Sequence, residues 1–311
     1  MRVLVMGSGG VGGYIGGMLA RAGHDVTFTA RGAHLEAMQQ NGLSLIDRGE
    51  TTLLKPITAV RLPEEAGGTF DLVLFTVKTY DTTDAAEAIK PVVGADSSVV
   101  PLQNGVDAVD EIGAIVGKDR VLGGSTNIGA RINEPGVVER FSPFCNVTIG
   151  EPSGGLSERV EQIAAAFKAA GQADVTASPD ITRAVWEKFM LLAPLASVTS
   201  ATNLASGQVR AAPEGKALWK AMMQEVQAVG KASGVDLPPA SAESVETFFM
   251  GLPDTHTTSM QRDYDGKRRV ELEHLAGTVI RRGKAVGVPT PTFDVVYAIL
   301  RTKALSFGGV S

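Results

Sequence analysis

Short, strongly apolar runs alternate with segments of helical period along the first half of the chain. The apolar runs contain few polar positions, which is typical of parallel strands that helices cover on both faces. Helices are predicted at Gly10–Ala22, which Gly23 closes, and at Thr82–Lys90. Strands are predicted at Arg2–Met6, Asp25–Ala30, Asp71–Lys78 and Ser98–Gln103. This alternation predicts a doubly wound α/β sheet.

The pattern changes in the second half of the chain. Turn residues separate short β segments, and an amphipathic helix is predicted at Leu156–Ala170. The short β segments are Val121–Thr126, Val137–Phe141 and Asn146–Gly150. Strand signal nearly disappears after Pro179, and the predicted helices are Ile181–Ser200, Pro213–Gly234, Ala240–Phe249, Ser259–Val286 and Thr292–Phe307. We therefore expect two domains, residues 1–178 and residues 179–311, the second of them all-helical.

Composition narrows the classes of function. The 311 residues carry a formal net charge of −5, which argues against a nucleic-acid-binding protein. Cys145 is the only cysteine, so an internal disulfide and a multi-cysteine zinc site are excluded, and the cytoplasm is the expected compartment. No apolar run reaches the length of about eighteen residues that a membrane span needs. We expect a small-molecule partner, while the long helices fit either a homodimer interface or packing within their own domain.

The segment between the first strand and the first helix is rich in glycine. It matches the pattern G-x-G-x-x-G after a strand, at the start of a helix and inside a βαβ unit of about thirty residues. Gly7 permits a tight turn, Gly9 lets the backbone approach a pyrophosphate, and Gly12 allows close helix–strand packing. The predicted dinucleotide contacts are Gly7, Ser8, Gly9, Gly10, Val11 and Gly12. A glycine-rich turn without a ligand is the competing interpretation.

Arg31 directly follows the second predicted strand. Proteins that bind NAD usually place an acidic residue there to bond the ribose hydroxyls, and no acid stands beside Arg31. A guanidinium at this position pairs with a 2′-phosphate, so the predicted cofactor is NADP(H). The alternative is a solvated loop arginine. His34 fits either a second phosphate contact or a residue on the helix surface.

Two further side chains follow predicted strands. Lys78 ends one strand, and Asn104 follows the next one. Ligands of doubly wound sheets bind at the carboxyl ends of strands, so both are candidate contacts, although simple strand termination explains them equally well. In the helical half, Glu271 and His274 form a Glu-x-x-His pair of the kind found at carboxylate-bridged metal sites. No second copy of the pair is present, so no metal site is predicted.

Several motifs occur in a characteristic order and spacing: GSGGVG, Arg31, Val77-Lys78, Gln103-Asn104-Gly105, Trp186-x-Lys188, Ser259-Met260, Glu271 with Gly277, and Gly287-Val288-Pro289-Thr290-Pro291. With them, essentially the whole chain resembles the ketopantoate reductase (2-dehydropantoate 2-reductase) family. The resemblance implies a Rossmann domain joined to a helical domain like that of the 6-phosphogluconate dehydrogenase C-terminal-like superfamily, with the active site in the cleft between them. It implies an NADP-dependent oxidoreductase acting on CH–OH groups, which reduces a 2-oxo acid, by default 2-dehydropantoate, in pantothenate biosynthesis.

The resemblance also implies roles for individual residues. Lys188 resembles the general acid, because a positioned ammonium stabilises the oxyanion that forms during hydride transfer and then donates a proton. Glu271 resembles the glutamate that binds the substrate hydroxyl and helps to keep Lys188 charged. Asn104 resembles a bridge between cofactor and substrate, and Ser259 resembles a donor to the substrate carboxylate. Further cofactor contacts are implied for Lys78 and Ala130.

Four positions depart from the family pattern. Leu192, Ala196, Ser206 and Ala276 stand where the family commonly has asparagine. Loss of polar groups around a substrate relaxes or redirects specificity. Two alternatives to ketopantoate reduction follow: a reductase of a more apolar 2-oxo acid, and a non-catalytic NADP(H)-binding sensor.

Overall fold

The computed structural model describes residues 1–171 and 174–310. The chain divides into two compact units. The first consists of Met1–Gln103 and Ala108–Ile181, and the second combines Asn104–Asp107 with the chain from Thr182 onward. A four-residue segment that follows a strand of the first unit therefore belongs to the second.

The strands of the first unit that the structure describes form two β-sheets. The strands are β1 (Arg2–Met6), β2 (Asp25–Thr29), β3 (Leu43–Asp47), β4 (Glu50–Leu54), β5 (Thr58–Val60), β6 (Leu72–Phe75), β7 (Ser98–Pro101), β8 (Gly123–Glu134), β9 (Val137–Gly150) and β10 (Asp174–Ala177). One sheet is parallel throughout, in the order β5-β2-β1-β6-β7. Its order reverses direction between β1 and β6, the kind of switch point at which open α/β sheets bind ligands. The predicted Rossmann fold class is confirmed.

Among the described residues, the α-helices of the first unit are α1 (Gly10–Arg21), α2 (Gly32–Asn41), α3 (Thr82–Ile89), α4 (Ala108–Val116) and α5 (Glu158–Ala169). They explain why the strand sequences are so uniformly apolar. In β1, Val3 and Val5 pack in one core with Ile15 of α1, whereas Leu4 packs in the opposite core with Ile89 of α3. Successive strand residues point to opposite faces, so a strand covered on both sides needs apolar residues at every position.

The second sheet differs from the sequence prediction. Its order is β10-β9-β3-β4, and β8 pairs with β9 in the antiparallel direction. The predicted segments Val137–Phe141 and Asn146–Gly150 are wrong as separate strands, because both lie in β9. Ile128 pairs with Cys145 and Ala130 with Arg140, so the intervening residues of β9 bulge without ending the pairing.

Helices make up the second unit: α6 (Ile181–Thr202, which begins at the unit boundary), α7 (Ser206–Ala211), α8 (Pro213–Ala232), α9 (Pro239–Gly251), α10 (Ser259–Asp265), α11 (Ala276–Val286) and α12 (Pro291–Leu305). Their apolar faces form one core that includes Trp186 and Trp219. No helix within residues 1–171 and 174–310 is long and apolar enough to cross a membrane.

The single helix predicted at Ser259–Val286 is wrong. It is interrupted after α10, where Gly266 is followed by Lys267 in the left-handed region at φ +50°. A short 3-10 turn, Leu272–His274, then precedes α11. The interruption places Glu271 at the start of that turn instead of on a helix face.

Candidate active site

The loop between β1 and α1 has the geometry of a phosphate-binding turn. Gly7 has φ +98°, a conformation that favours glycine, and Gly9 precedes α1 without any side-chain cap. A Cβ built on Gly9 would meet no atom within 4 Å. The space beside Gly9, directly before α1, is therefore open, which suits a pyrophosphate group at the helix N-terminus.

Two glycines of this loop allow close packing of the backbone. A Cβ on Gly10 would overlap the Ala130 carbonyl, and one on Gly12 would overlap both the Thr76 hydroxyl and the Gly7 carbonyl. Ala130 of β8 thus lies against the N-terminus of α1, where the sequence resemblance implied a cofactor contact. The open face at Gly9 and these close approaches together fit the phosphates of a dinucleotide.

Ser8 supports the loop by binding the end of β2. Its N–H and its Oγ both donate to the Thr29 carbonyl, at 2.9 and 2.6 Å, and the Gly7 N–H donates to Thr29 Oγ1 at 2.8 Å. Ser8 is buried, while Val11 is partly exposed. The cofactor contacts expected of Ser8 and Val11 stay predictions. The Ser8 hydroxyl already donates its hydrogen to the Thr29 carbonyl.

Arg31 stands between β2 and α2 in extended backbone conformation, with φ −137° and ψ 155°. Its side chain is exposed, and it has neither a hydrogen bond nor an ion pair within the part of the chain that the structure describes. Because β2 is bound to the glycine loop through Thr29, Arg31 follows β2 immediately beside that loop. An uncompensated guanidinium at this place suits a 2′-phosphate.

His34 has a structural role that neither sequence interpretation anticipated. Its Nδ1 accepts the Gly136 N–H at 3.0 Å, and its Nε2 lies 3.0 Å from the Ser8 carbonyl. A ring nitrogen that accepts carries no proton, so the neutral ring donates from Nε2 to Ser8. Burial lowers the pKa of His34 below 6.5 and favours this neutral form. His34 therefore supports the glycine loop from α2, and its phosphate contact stays a prediction.

Lys78 lies three residues beyond β6, so its predicted place inside the strand is wrong. The preceding residues reach the glycine loop: Thr76 Oγ1 donates to the Gly7 carbonyl at 2.7 Å, and a Cβ on Gly7 would lie 2.9 Å from Val77 Cγ1. Lys78 begins the turn that leads to α3. Its position at the switch point of the sheet is still that expected of a ligand contact.

In the second unit, Lys188, Asn104 and Glu271 form a polar cluster. Lys188 lies in the first half of α6, and its Nζ donates to Asn104 Oδ1 at 3.1 Å. Glu271 is 3% exposed and attracts the ammonium group electrostatically. Burial lowers the pKa of Lys188 from 10.5 to about 8, and Glu271 opposes that decrease. A pKa in this range suits a group that donates a proton near neutral pH.

Family models match both parts of the chain. The model for ketopantoate reductase PanE/ApbA matches residues 3–154, and the model for the C-terminal part of PanE/ApbA matches residues 180–304. The chain belongs to the ketopantoate reductase family. It is therefore an NADP-dependent oxidoreductase.

Individual relatives agree with this assignment. A 2-dehydropantoate 2-reductase of Mesorhizobium japonicum is 36% identical over 99% of both chains. A PanE/ApbA family ketopantoate reductase of Ralstonia eutropha superposes with a TM-score of 0.90 at 32% identity, covering 99% of this chain and 100% of its own. A D-mandelate dehydrogenase solved with NADH and anilino(oxo)acetate superposes with a TM-score of 0.91 over 99% of both chains. Its 21% identity shows likeness of fold alone.

The positions that depart from the usual ketopantoate reductase pattern have distinct environments. Leu192 lies one helical turn after Lys188, and it is partly exposed. Ala196 and Ala276 are fully buried in the helical core. Ser206 is buried as well, and its N–H and Oγ both donate to the His256 carbonyl, at 2.9 and 3.1 Å. Of these four positions, Leu192 is therefore the one that lies next to Lys188 along α6.

Ser259 begins α10 and is partly exposed. The preceding Thr258 caps the helix, since its Oγ1 accepts the Gln261 N–H at 3.2 Å. Thr258 Oγ1 also lies 3.1 Å from Thr199 Oγ1 on α6. These contacts fix the start of α10 against the helix that carries Lys188, which leaves the Ser259 hydroxyl as a candidate donor for this reductase.

Sequence reasoning missed two further residues that make long-range contacts beside the candidate site. Gln103 is buried, and its Nε2 donates to the Val77 carbonyl at 3.0 Å and to Thr82 Oγ1 at 2.9 Å. Asp107 binds Arg282, which is 175 positions away in the chain. Neither contact has a local sequence signal.

Proposed function

We propose that this protein reduces a 2-oxo acid to the 2-hydroxy acid with NADPH, and that the substrate is 2-dehydropantoate, which places the protein in pantothenate biosynthesis. The observation that carries the proposal is the cluster of Lys188, Asn104 and Glu271 in the second unit. A buried ammonium beside a carboxylate suits the reduction of a carbonyl group. The name of the Mesorhizobium japonicum relative supports the choice of substrate.

Lys188 holds the proton that the reaction needs. NADPH, which the glycine loop and Arg31 would hold, would supply a hydride, and negative charge would develop on the carbonyl oxygen of the substrate. The Lys188 ammonium stabilises that charge and donates a proton to it. Asn104 orients the ammonium through the 3.1 Å hydrogen bond. Glu271 keeps the ammonium protonated against the effect of burial, and in this proposal it also binds the substrate hydroxyl.

The remaining site residues divide between the two ligands. Arg31 would pair with the 2′-phosphate of NADPH, and Lys78 and Ala130 would contact the cofactor near the glycine loop. The residues of the loop itself are Gly7, Ser8, Gly9, Gly10, Val11 and Gly12. Asn104 would also contact the cofactor, and Ser259 would donate to the substrate carboxylate.

Leu192 favours a second candidate substrate. A leucine one turn from the catalytic lysine offers apolar contact where an asparagine would offer hydrogen bonds. A 2-oxo acid with a bulkier apolar side chain and no hydroxyl would fit these surroundings. The reaction type and the role of Lys188 are the same for both candidates.

The two candidates are separated by a panel of 2-oxo acids followed by NADPH absorbance. The panel contains 2-dehydropantoate, 2-oxoisovalerate, 2-oxo-4-methylpentanoate and phenylglyoxylate. If 2-dehydropantoate has by far the highest kcat/KM, the first candidate holds. A higher kcat/KM for the hydroxyl-free acids establishes the second, and the absence of turnover with every member contradicts both.

A further inference from the structure

The segment Asn104–Asp107 is bound to the second unit at both of its ends. At one end, Asn104 Oδ1 accepts the hydrogen bond of Lys188 Nζ. At the other end, Asp107 accepts from two residues of α11: Thr278 Oγ1 donates to Oδ2 at 2.7 Å, and Arg282 Nε donates to Oδ1 at 2.7 Å. Both ends of a four-residue segment are therefore fixed by side chains that are distant in the sequence.

Asp107 and Arg282 form a short ion pair that is partly shielded from solvent. Arg282 Nη2 lies 2.6 Å from Asp107 Oδ1, and the two side chains are 29% and 19% exposed. Guanidinium–carboxylate pairs of this kind combine charge with fixed direction. Arg282 Nη2 also lies 3.5 Å from the Val106 carbonyl, so it reaches the backbone of the same segment.

Arg282 connects this anchor to the helix of the catalytic lysine. Its guanidinium lies 5.8 Å from the ring centre of Trp186, two residues before Lys188 on α6. Gly105, within the segment, has φ +94°, and a Cβ there would lie 3.1 Å from the His274 carbonyl. The segment is thus packed between α11, α6 and the turn that begins at Glu271.

We propose that Asp107 is a positioning residue for the reaction: by binding Arg282 and Thr278 it holds Asn104 in place to receive the hydrogen bond of Lys188. The inference rests on the proposed function, since it assigns a purpose to the Asn104–Lys188 contact. Asp107 itself acts through Asn104. Replacement of Asp107 should therefore lower kcat/KM only while Asn104 is present.

A double-mutant cycle tests that dependence. Asp107→Asn keeps the size of the side chain and removes its charge. We expect it to lower kcat/KM about tenfold or more in the otherwise unchanged protein, because small displacements of catalytic groups are costly. In an Asn104→Ala background we expect the same change to lower kcat/KM less than about twofold. Equal losses in the two backgrounds, or no loss in the first, would overturn the proposal.

A second readout does not depend on turnover. The pKa of Lys188 is measured by NMR in cofactor-free protein with labelled lysine, and Lys188→Arg identifies the signal. Loosening of Asn104 removes a hydrogen bond from the ammonium, so Asp107→Asn should lower this pKa, as should Asn104→Ala. An unchanged pKa would overturn the proposal. If the unaltered protein reduced no 2-oxo acid, the proposed function would fail while this titration still tested the anchor.

Matched variants guard against loss of folding. Arg282→Lys keeps the charge of the partner but loses the fork of donors, and we expect it to repeat the effect of Asp107→Asn in a milder form. Glu246→Gln removes an ion pair of α8 and α9, Lys220–Glu246 at 2.8 Å, in the same unit. It should change neither kcat/KM nor the pKa of Lys188. A loss of kcat/KM in Glu246→Gln as large as that in Asp107→Asn would overturn the proposal, because any broken ion pair would then have the same effect.

Discussion

Replacement of Glu271 by glutamine should lower the pKa of Lys188 and narrow the pH range of activity. Burial lowers the pKa of Lys188 to about 8, and the carboxylate of Glu271 is the group that opposes this decrease. An opposite charge close to an ionisable group changes its pKa by about one to three units. Removal of that charge should therefore lower the pKa of Lys188 by at least about one unit.

The sign of the effect on activity follows from the role of the ammonium. Only protonated Lys188 donates, so kcat should fall as the pH rises through its pKa. At pH 8, a pKa of about 8 leaves half of the lysine protonated, whereas a pKa lower by one unit leaves about 9%. The variant should thus lose about fivefold more activity at pH 8 than at pH 6, beyond any loss that is independent of pH.

The assay is kcat against pH at saturating NADPH and 2-oxo acid. Glu273→Gln is the matched control, because Glu273 accepts from Tyr297 Oη at 2.7 Å and pairs with Arg281 and Arg301. Glu273→Gln should leave the fall of kcat at alkaline pH, the alkaline limb of the profile, at the same pH as in the unaltered protein. If Glu271→Gln leaves that limb unchanged, or moves it to higher pH, the electrostatic account of the pair is refuted.

Three other predictions concern the first unit, where the cofactor is expected to bind. Arg31→Ala should raise the Kd of NADPH at least about tenfold and leave that of NADH nearly unchanged, as measured by fluorescence titration; equal losses for both would show that Arg31 does not read the 2′-phosphate. Burial lowers the pKa of His34, so the free energy of unfolding should fall as the pH falls below 6.5, and it should fall less in His34→Gln. Chemical denaturation from pH 8 to 5 measures this dependence, and identical pH profiles of the two proteins would contradict the structural role of the neutral ring. Gly10→Ala should weaken NADPH binding and lower the free energy of unfolding by about 1–3 kcal/mol, because its Cβ would overlap the Ala130 carbonyl. The Cβ of Gly9→Ala would meet no protein atom, so this variant should keep the melting temperature, and unchanged stability in both variants would refute the close packing at Gly10.

Local patterns were enough to predict the frame of the first unit. The β1–α1–β2 unit is specified by residues that are neighbours in the chain, and its predicted bounds agree with the structure within one residue. The second sheet was missed because β9 includes Ser142 and Pro143, which read as a turn. Pairing with β8 on either side of these two residues keeps both halves in one strand. Pairing between distant segments leaves no local signal.

The candidate site divides in the same way. The residues of the glycine loop are neighbours in the sequence, so the motif alone predicts this loop. Glu271 was found by resemblance, but its placement depends on the break at Gly266 and Lys267, where a left-handed residue ends a pattern that reads as one helix. The contact of Asp107 could not be predicted from the sequence, because its partner Arg282 is 175 positions away.

The most direct test of the central claim is the turnover of Lys188→Ala with NADPH and the best 2-oxo acid of the panel at pH 7. We expect kcat to fall at least about a hundredfold, which is the smallest contribution usual for a general acid. The Kd of NADPH should stay within about twofold of the unaltered protein, since the variant leaves the glycine loop and Arg31 unchanged. A near-normal kcat in this variant would contradict the assignment of Lys188 as the proton donor.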